Sequence, residues 1–227
     1  MPIAVMALCP AVALLGRADA ATAFANADQV IAAERRLGVF AEPAFHQLVA
    51  GNETLLAIMS AVYLSAHGPV TIGALIWVAL RRPQAWPLLR RSFLATQVLI
   101  VCGYLLFPCA PPRLLPSSAF SDTTADVWGE GMAAASELLQ SPYAAVPSGH
   151  VAFALIAGGS IALLARQPLV RILGVLWPVV TVLIVVATAN HFFFDAFAAA
   201  LVTALGFALA YVSMPCRFGH LEMSGAR

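Results

Sequence analysis

The sequence contains no lysine, and only 10% of its residues are charged. All twelve basic residues are arginines and the formal net charge is +1, so the chain lacks the basic surplus typical of nucleic-acid-binding proteins. Its four cysteines lie far apart and form neither a C-x-x-C pair nor a Cys/His cluster, which argues against a zinc site and a disulfide framework. We therefore expect no metal, no cofactor and no nucleic-acid partner.

What the sequence has in excess is apolar side chains. Hydrophobic residues make up 61% of the chain, and the mean hydropathy is +0.88. A water-soluble globule of this size needs more polar side chains to cover its surface. We therefore predict one integral membrane domain over residues 1–227, an all-α polytopic helix bundle located in a bacterial plasma membrane.

Six apolar runs indicate transmembrane helices, although several fall short of the roughly 20 residues that cross a bilayer. They are residues 2–16, 54–80, 92–107, 151–165, 172–189 and 192–214. The second run contains Pro69, which predicts one kinked helix, the alternative being two separate helices.

Surface helices are predicted in the long loops between these runs. In residues 17–53, Asn26 or Asp28 can cap a first helix that Gly38 ends, and Glu42-Pro43 can open a second. In residues 108–150, Trp128 begins an apolar stripe with Met132 and Leu139 that suits an interfacial helix or a lid.

Charge is segregated between alternate loops of this six-span arrangement. By the positive-inside rule, the arginine-rich loops and both chain ends are predicted to be cytoplasmic, and the acidic loops extracytoplasmic. The cytoplasmic arginines are Arg81, Arg82, Arg90, Arg91, Arg166, Arg171, Arg217 and Arg227. The acidic residues on the other side are Asp19, Asp28, Glu34, Glu42, Glu53, Asp122, Asp126, Glu130 and Glu137.

The segment Pro147-Ser148-Gly149-His150 stands where a polar loop enters an apolar helix. Ser148 suits the N-cap position, and the amides of Gly149 and His150 would lie in the first turn. A helix N-terminus presents N–H groups and a positive dipole end, so this segment could bind phosphate oxygens. An ordinary capped helix with an interfacial histidine is the alternative.

His191 and Asp195 are four residues apart and therefore share one helix face. Asp195 can accept a hydrogen bond from one ring nitrogen of His191, which leaves the other nitrogen nucleophilic. An acid in an apolar helix is costly unless it has a function, although a purely structural bond would have the same spacing. Arg113, at the end of the third run, suits bidentate phosphate binding or a contact with lipid headgroups.

In chain order, Arg113, Pro147-Ser148-Gly149-His150 and His191-x-x-x-Asp195 resemble the three motifs of the type-2 phosphatidic acid phosphatase superfamily. Ala-Pro-Pro-Arg-Leu-Leu-Pro around Arg113 and Thr-Ala-Asn-His before Asp195 are most similar to its inositol phosphorylceramide synthase-like branch of inositolphosphotransferases. Residues 26–42 and Tyr63-x-x-x-His67-x-Pro69 are also similar to that branch.

The resemblance implies a role for each motif residue. His191 would be the nucleophile that forms a phosphohistidine, Asp195 would orient it, and His150 would be the general acid for the leaving oxygen. Arg113, Ser148 and Gly149 would bind the phosphate, and no metal is implied.

This sequence departs from the commoner family pattern in two places. No lysine precedes the first-motif arginine, and Ile184-Val185 occupy the positions of a Ser-Arg pair. Arg35 or Arg36 could replace the missing cations, or could simply face solvent or headgroups.

Four further polar residues lie in the segments that are similar to the inositol phosphorylceramide synthase-like branch. We place Tyr63, His67, Arg36 and Asn190 in a possible substrate pocket. For His67 the alternative is a bond to a backbone carbonyl released near Pro69. His46 and His220 are predicted to be surface residues.

These features predict a lipid phosphate phosphatase or phosphotransferase that works at the extracytoplasmic membrane face. The substrate would be a membrane lipid with a phosphate or phosphodiester headgroup, and water or a second alcohol would accept the phosphoryl group. The alternative is a non-catalytic transporter or assembly subunit with a polar pathway lined by the same residues.

Overall fold

The computed structural model describes residues 19–116, 119–129, 131 and 141–214, and the predicted first span lies outside these residues. The regular structure within them is helical, as predicted, apart from one isolated bridge between Cys109 and Ala144. The helices are α1 (Ala20–Leu37), α2 (Glu42–Ala50), α3 (Glu53–Ser65), α4 (His67–Arg81), α5 (Trp86–Leu106), a short 3-10 helix (Pro112–Leu114), α6 (Thr123–Trp128), α7 (Gly149–Leu164), α8 (Pro168–Ala187) and α9 (Phe193–Val212).

The two surface helices predicted before the second apolar run are α1 and α2. Gly38 ends α1 with a left-handed φ of 69°, and Pro43 lies in the first turn of α2, both as predicted. The predicted caps were wrong: Asp19 caps α1 by accepting a hydrogen bond from the Thr22 amide at 3.2 Å. Asn26 lies inside α1, where it donates to the Pro108 carbonyl at 2.8 Å. Trp128, the first residue of the predicted interfacial stripe, ends α6, and Met132 and Leu139 lie outside the described residues.

The apolar run 54–80 forms two helices, α3 and α4, that meet at Ala66. Pro69 lies in the first turn of α4, where a helix needs no amide donor from that residue. The expectation of a single kinked helix was therefore wrong, although the break falls beside the predicted proline.

Three described helices are long and apolar enough to cross a membrane: α5, α8 and α9. The pair α2 and α3, bent by 114°, would make a fourth span if counted as one, and α7 is apolar but has only 16 residues. A membrane helix bundle is consistent with these lengths, whereas the six predicted spans are not shown. Many apolar side chains of α8, such as Leu173 and Val179, are exposed, as lipid-facing residues would be.

Helix α7 occupies the centre of the bundle and contacts α4, α5, α8 and α9. Gly158 and Gly174 allow α7 and α8 to approach closely, because a Cβ on Gly158 would collide with the Gly174 carbonyl. Gly206 has the same effect between α9 and α5, where a Cβ would collide with Thr96. Small residues thus set the spacing of the helices that carry the motifs.

Arginines bind the C-terminal ends of α7 and α9. Arg82 and Arg171 donate to the carbonyls of Leu164 and Ala162, each at 2.9 Å, and Arg91 donates to the Ser213 carbonyl at 3.0 Å. Cations at helix C-termini complement the negative end of the helix dipole. The histidine motifs lie at the opposite, N-terminal ends of the same two helices.

Candidate active site

The residues between α8 and α9, 188–192, form a short connection that we call the His191 turn. Ala189 adopts a φ of 53° there, a conformation that residues with a Cβ rarely take. His191 is buried, and its Nδ1 lies 3.0 Å from Asp195 Oδ2 and 3.0 Å from the Ala145 carbonyl oxygen. The structure thus contains the hydrogen bond that the spacing of His191 and Asp195 predicted.

These two contacts determine the tautomer of a neutral His191. The carbonyl oxygen of Ala145 can only accept, and so can an ionised Asp195 carboxylate. Nδ1 must therefore carry the ring hydrogen, and Nε2 keeps its lone pair. This arrangement leaves Nε2 able to act as a nucleophile or a base.

The carbonyl of Ala145 is held in place by the loop that follows α5. Cys109 N–H donates to the Tyr143 carbonyl at 2.8 Å, and Ala145 N–H donates to the Cys109 carbonyl at 3.3 Å. Burial, followed by the charge of Asp195, raises the pKa of the Cys109 thiol above its usual range. Cys109 is therefore a neutral thiol with a structural role beside the site.

Ser148 caps α7 as predicted and also links the second and third motifs. Its Oγ accepts from the Val151 amide at 3.3 Å, and its own amide donates to the Asp195 carbonyl at 3.1 Å. The Ser148 amide therefore already donates to an acceptor within the protein, and the contact of Ser148 with phosphate stays a prediction. The amides of Gly149 and His150 lie in the first turn of α7, where the helix supplies no acceptor for them.

His150 lies in a cluster of rings. Tyr63 stacks on it with centroids 4.4 Å apart, His67 lies at 4.4 Å, and His191 lies at 5.9 Å. The structure therefore brings together the two histidines of the second and third motifs, and adds Tyr63 and His67 from α3 and α4 to the same cluster.

A narrow pocket opens beside this cluster. It is lined by Val62, Tyr63, His67, His150, Trp177, Thr181, Ile184 and Val185. His67 Nδ1 and Trp177 Nε1 are buried and have no hydrogen-bond partner among the described residues. The alternative role of His67 was a hydrogen bond from its ring to a backbone carbonyl, and no such bond is present among the described residues.

Arg113 contacts the His191 turn through its backbone and Asp122 through its side chain. Its amide donates to the Ala189 carbonyl at 2.8 Å, and its Nη1 lies 3.0 Å from Asp122 Oδ2. The side chain of Arg113 is only 8% exposed, whereas that of Asp122 is 28% exposed. The guanidinium is thus held near the turn by a partner that is itself partly open to solvent.

Two of the predicted pocket residues, Arg36 and Asn190, do not line the pocket. Arg36 is exposed in the last turn of α1, and none of the hydrogen bonds or ion pairs in the described residues joins it to the histidines. Arg35 lies over the Phe40 ring at 5.0 Å. Asn190 is buried in the His191 turn, where its Nδ2 donates to Thr188 Oγ1 at 2.9 Å and stabilises the local backbone.

Three residues that sequence reasoning missed hold the His191 turn and the start of α9 from α1 and α2. Glu34, Glu42 and His46 are buried, with 2%, 0% and 2% exposure. Glu34 Oε1 accepts from the Phe194 amide at 2.7 Å, and Glu42 Oε1 accepts from the Phe193 amide at 2.8 Å. Glu34 could have been found, because it follows Ala23, Ala27 and Val30 at helical spacing on the buried face of α1.

His46 had been predicted to lie at the surface, and that prediction was wrong. Its Nδ1 donates to the Ala187 carbonyl at 2.8 Å, and its Nε2 accepts from the Ser121 amide at 3.2 Å. His46 therefore connects α2 to the end of α8 and to the loop before α6. Thr123 adds a further bond, from its hydroxyl to the Thr188 carbonyl at 2.7 Å.

Among the described residues, no group of three or more His, Cys, Asp or Glu side chains is arranged to hold a metal ion. No curated protein sequence and no solved structure matches this chain. The profile of the PAP2 superfamily matches residues 28–209, which is more than half of the chain and includes all three motifs. The helices, the clustered motif histidines and this match agree, and the chain belongs to the PAP2 superfamily.

Proposed function

We propose that the chain transfers the phosphoryl group of a membrane lipid to His191 and then to water or to an alcohol. Membership of the PAP2 superfamily supports a phosphatase-type activity on a phosphate ester, and the apolar helices favour a lipid substrate. The observation that carries the proposal is the paired acceptance of the His191 Nδ1 hydrogen by Asp195 and Ala145.

In the first step Nε2 of His191 attacks phosphorus, and the bond from phosphorus to the leaving oxygen breaks. Asp195 stabilises the positive charge that develops on the ring. His150 donates a proton to the leaving oxygen, which departs as a neutral alcohol. In the second step water attacks the phosphohistidine, His150 takes the proton of that water, and phosphate leaves.

The negative charge of the transferring group requires donors on its oxygens. Arg113 and the first-turn amides of Gly149 and His150 are the groups placed to supply them. Arg113 would turn from Asp122 toward the phosphate, which is feasible because Asp122 is partly exposed. Ile184 and Val185 are buried in the core and supply no cation, so Arg113 carries most of this task.

The pocket beside His150 would receive the lipid side of the scissile ester. Its apolar lining suits a lipid. At a polar group near the ester, the Nδ1 of His67 could donate or accept a hydrogen bond, and the Nε1 of Trp177 could donate one. The side of the membrane follows from charge: arginines bind the far ends of α7 and α9, so the positive-inside rule would orient the histidines toward the extracytoplasmic face.

The acceptor distinguishes a phosphatase from a transferase of the inositol phosphorylceramide synthase-like branch. The purified full chain in detergent would be incubated with phosphate-labelled phosphatidic acid, with and without added inositol. Release of inorganic phosphate alone indicates hydrolysis, whereas a labelled inositol phosphate indicates transfer.

The roles of the two histidines can be tested separately. His191→Ala should abolish both phosphate release and any labelled protein adduct, because no nucleophile remains. His150→Ala should slow cleavage of a lipid phosphate far more than cleavage of p-nitrophenyl phosphate, whose leaving group needs no proton. Gln47→Ala, an exposed change on α2, serves as the control. Full activity of His191→Ala on each of these substrates would refute the mechanism and favour a non-catalytic membrane protein.

A further inference from the structure

Three successive amides at the start of α9 each donate to a carboxyl oxygen. The Phe192 amide donates to Asp195 at 2.9 Å, the Phe193 amide to Glu42 at 2.8 Å, and the Phe194 amide to Glu34 at 2.7 Å. Two of these carboxyl groups come from α1 and α2, more than 150 residues away along the chain. Unsatisfied helix amides favour such negative partners.

The carboxyl groups of Glu34 and Glu42 lie side by side, because their Oε1 atoms accept from the amides of consecutive residues. Their Oε2 atoms are buried and have no hydrogen-bond partner among the described residues. Two carboxylates offer only acceptors and repel each other at short range, so a buried pair that stays together requires one proton. Among the described residues, no ion pair connects Glu34 or Glu42 to an arginine. Ionising both buried carboxyl groups without a cation beside them would be costly.

We propose that Glu34 and Glu42 share one proton and act as positioning residues, holding the first turn of α9 and thereby the His191–Asp195 pair. This inference rests on the proposed function for its catalytic consequence, but the shared proton itself does not. With one proton the pair carries a single negative charge beside the positive end of α9. Loss of that proton would add a second charge, separate the two carboxyl groups and pull the Phe193 and Phe194 amides with them.

The groups that face this pair determine how it responds to pH. Burial, and then the adjacent Glu42 carboxyl, raise the pKa of Glu34 to about 8, the charge of Asp195 adds to the effect, and the Phe194 amide opposes it. Since this pKa lies above the unfolded value of 4.5, the stabilisation is complete below pH 4.5 and is lost as pH rises toward 8.

The sharing of a proton by Glu34 and Glu42 can be tested by thermal denaturation of the full chain in detergent at a series of pH values. The wild type should lose thermal stability steadily between about pH 5 and about pH 8.5. Glu34→Gln should show a flatter dependence, because the amide reproduces the protonated acid and has no proton to lose. Glu53→Gln, an exposed change on α3, is the matched control and should keep the wild-type slope. Equal slopes in the wild type and Glu34→Gln would overturn the shared proton.

The positioning role is tested by kinetics on the lipid phosphate. Glu34→Ala should lower kcat by roughly 10- to 100-fold with little change in KM, since a small displacement of the nucleophile is costly. Glu34→Gln should keep kcat within about 3-fold of the wild type at neutral pH and extend activity to higher pH. Equal kcat and pH profiles in the wild type, Glu34→Gln and Glu34→Ala would overturn the positioning role.

A variant that fails to fold does not remove the test, because Glu42→Gln probes the same pair with an amide that preserves volume. It should also flatten the dependence of thermal stability on pH, and a wild-type slope in it would count against the pair. If the wild type cleaves no lipid phosphate, the proposed function fails, and the comparison of slopes still decides whether the proton is shared.

Discussion

Apart from Arg171 at one end, the contact between α7 and α8 is formed by glycines and apolar side chains, whereas α1 and α2 hold the His191 turn through buried polar groups. The first contact depends on close approach, since lipid gives apolar side chains little reason to leave it. The second depends on hydrogen bonds, because the non-helical backbone of the turn has donors and acceptors that lipid cannot satisfy. The packing of the bundle therefore sets the distances between the motifs, and the surface helices α1 and α2 set the geometry within them.

The largest effect is expected for Asp195→Asn, which distinguishes a catalytic role of Asp195 from a structural one. Asp195→Asn keeps an oxygen for the Phe192 amide but removes the charge that opposes the developing imidazolium. We expect kcat on a lipid phosphate to fall on the order of 10³- to 10⁴-fold, with little change in thermal stability. Steady-state kinetics with thermal denaturation check this. A loss of activity explained entirely by unfolding would mean that the pair is structural.

The next effect tests the bundle. Gly158→Ala places a Cβ against the Gly174 carbonyl, so α7 and α8 must separate, and we expect a loss of about 3 kcal/mol. Gly159→Ala is the neighbouring control, because nothing lies within 4 Å of its Cβ. It should be neutral or stabilise the helix by up to about 1 kcal/mol. Equal behaviour of the two variants in denaturant unfolding would contradict the close contact.

His46→Ala tests the polar region without touching the motif residues. It leaves the Ala187 carbonyl and the Ser121 amide without their partner, and we expect a loss of about 2 kcal/mol in the free energy of unfolding. Hydrogen exchange should increase most in the His191 turn and the loop before α6. An increase spread evenly over the bundle would argue against a local connection by His46.

The smallest effect concerns the strain at Ala189. Ala189→Gly relieves the positive φ but makes the unfolded chain more flexible, so the two contributions oppose each other and the net change should stay below about 1 kcal/mol. Activity should fall slightly if the turn becomes more mobile. A destabilisation well above this range would show that the buried Ala189 methyl group matters more than the strain.

Much of the site could be predicted because its parts are local. The four-residue spacing of His191 and Asp195 predicts their hydrogen bond. The shared helix face was wrong, because His191 lies in the turn before α9 and only Asp195 lies in the helix. Ser148 is a cap because of where it stands in the sequence. The role of the Ser148 amide could not be predicted in this way. The Ser148 amide at the start of α7 donates to the backbone carbonyl of Asp195 in α9, and no local sequence pattern reveals a contact between two helices.

Composition, helical period and capping act over a few residues, so the sequence alone was enough to predict a helical chain with apolar helices suited to a membrane and to locate the three motifs. The burial of Glu34, Glu42 and His46 around the His191 turn, and the second acceptor that Ala145 offers to the His191 hydrogen, came only from the tertiary contacts. Those contacts span 46 to 160 residues, so they depend on how the helices pack. A charged residue in a surface helix looks solvated in sequence, and only its surroundings show that it is not.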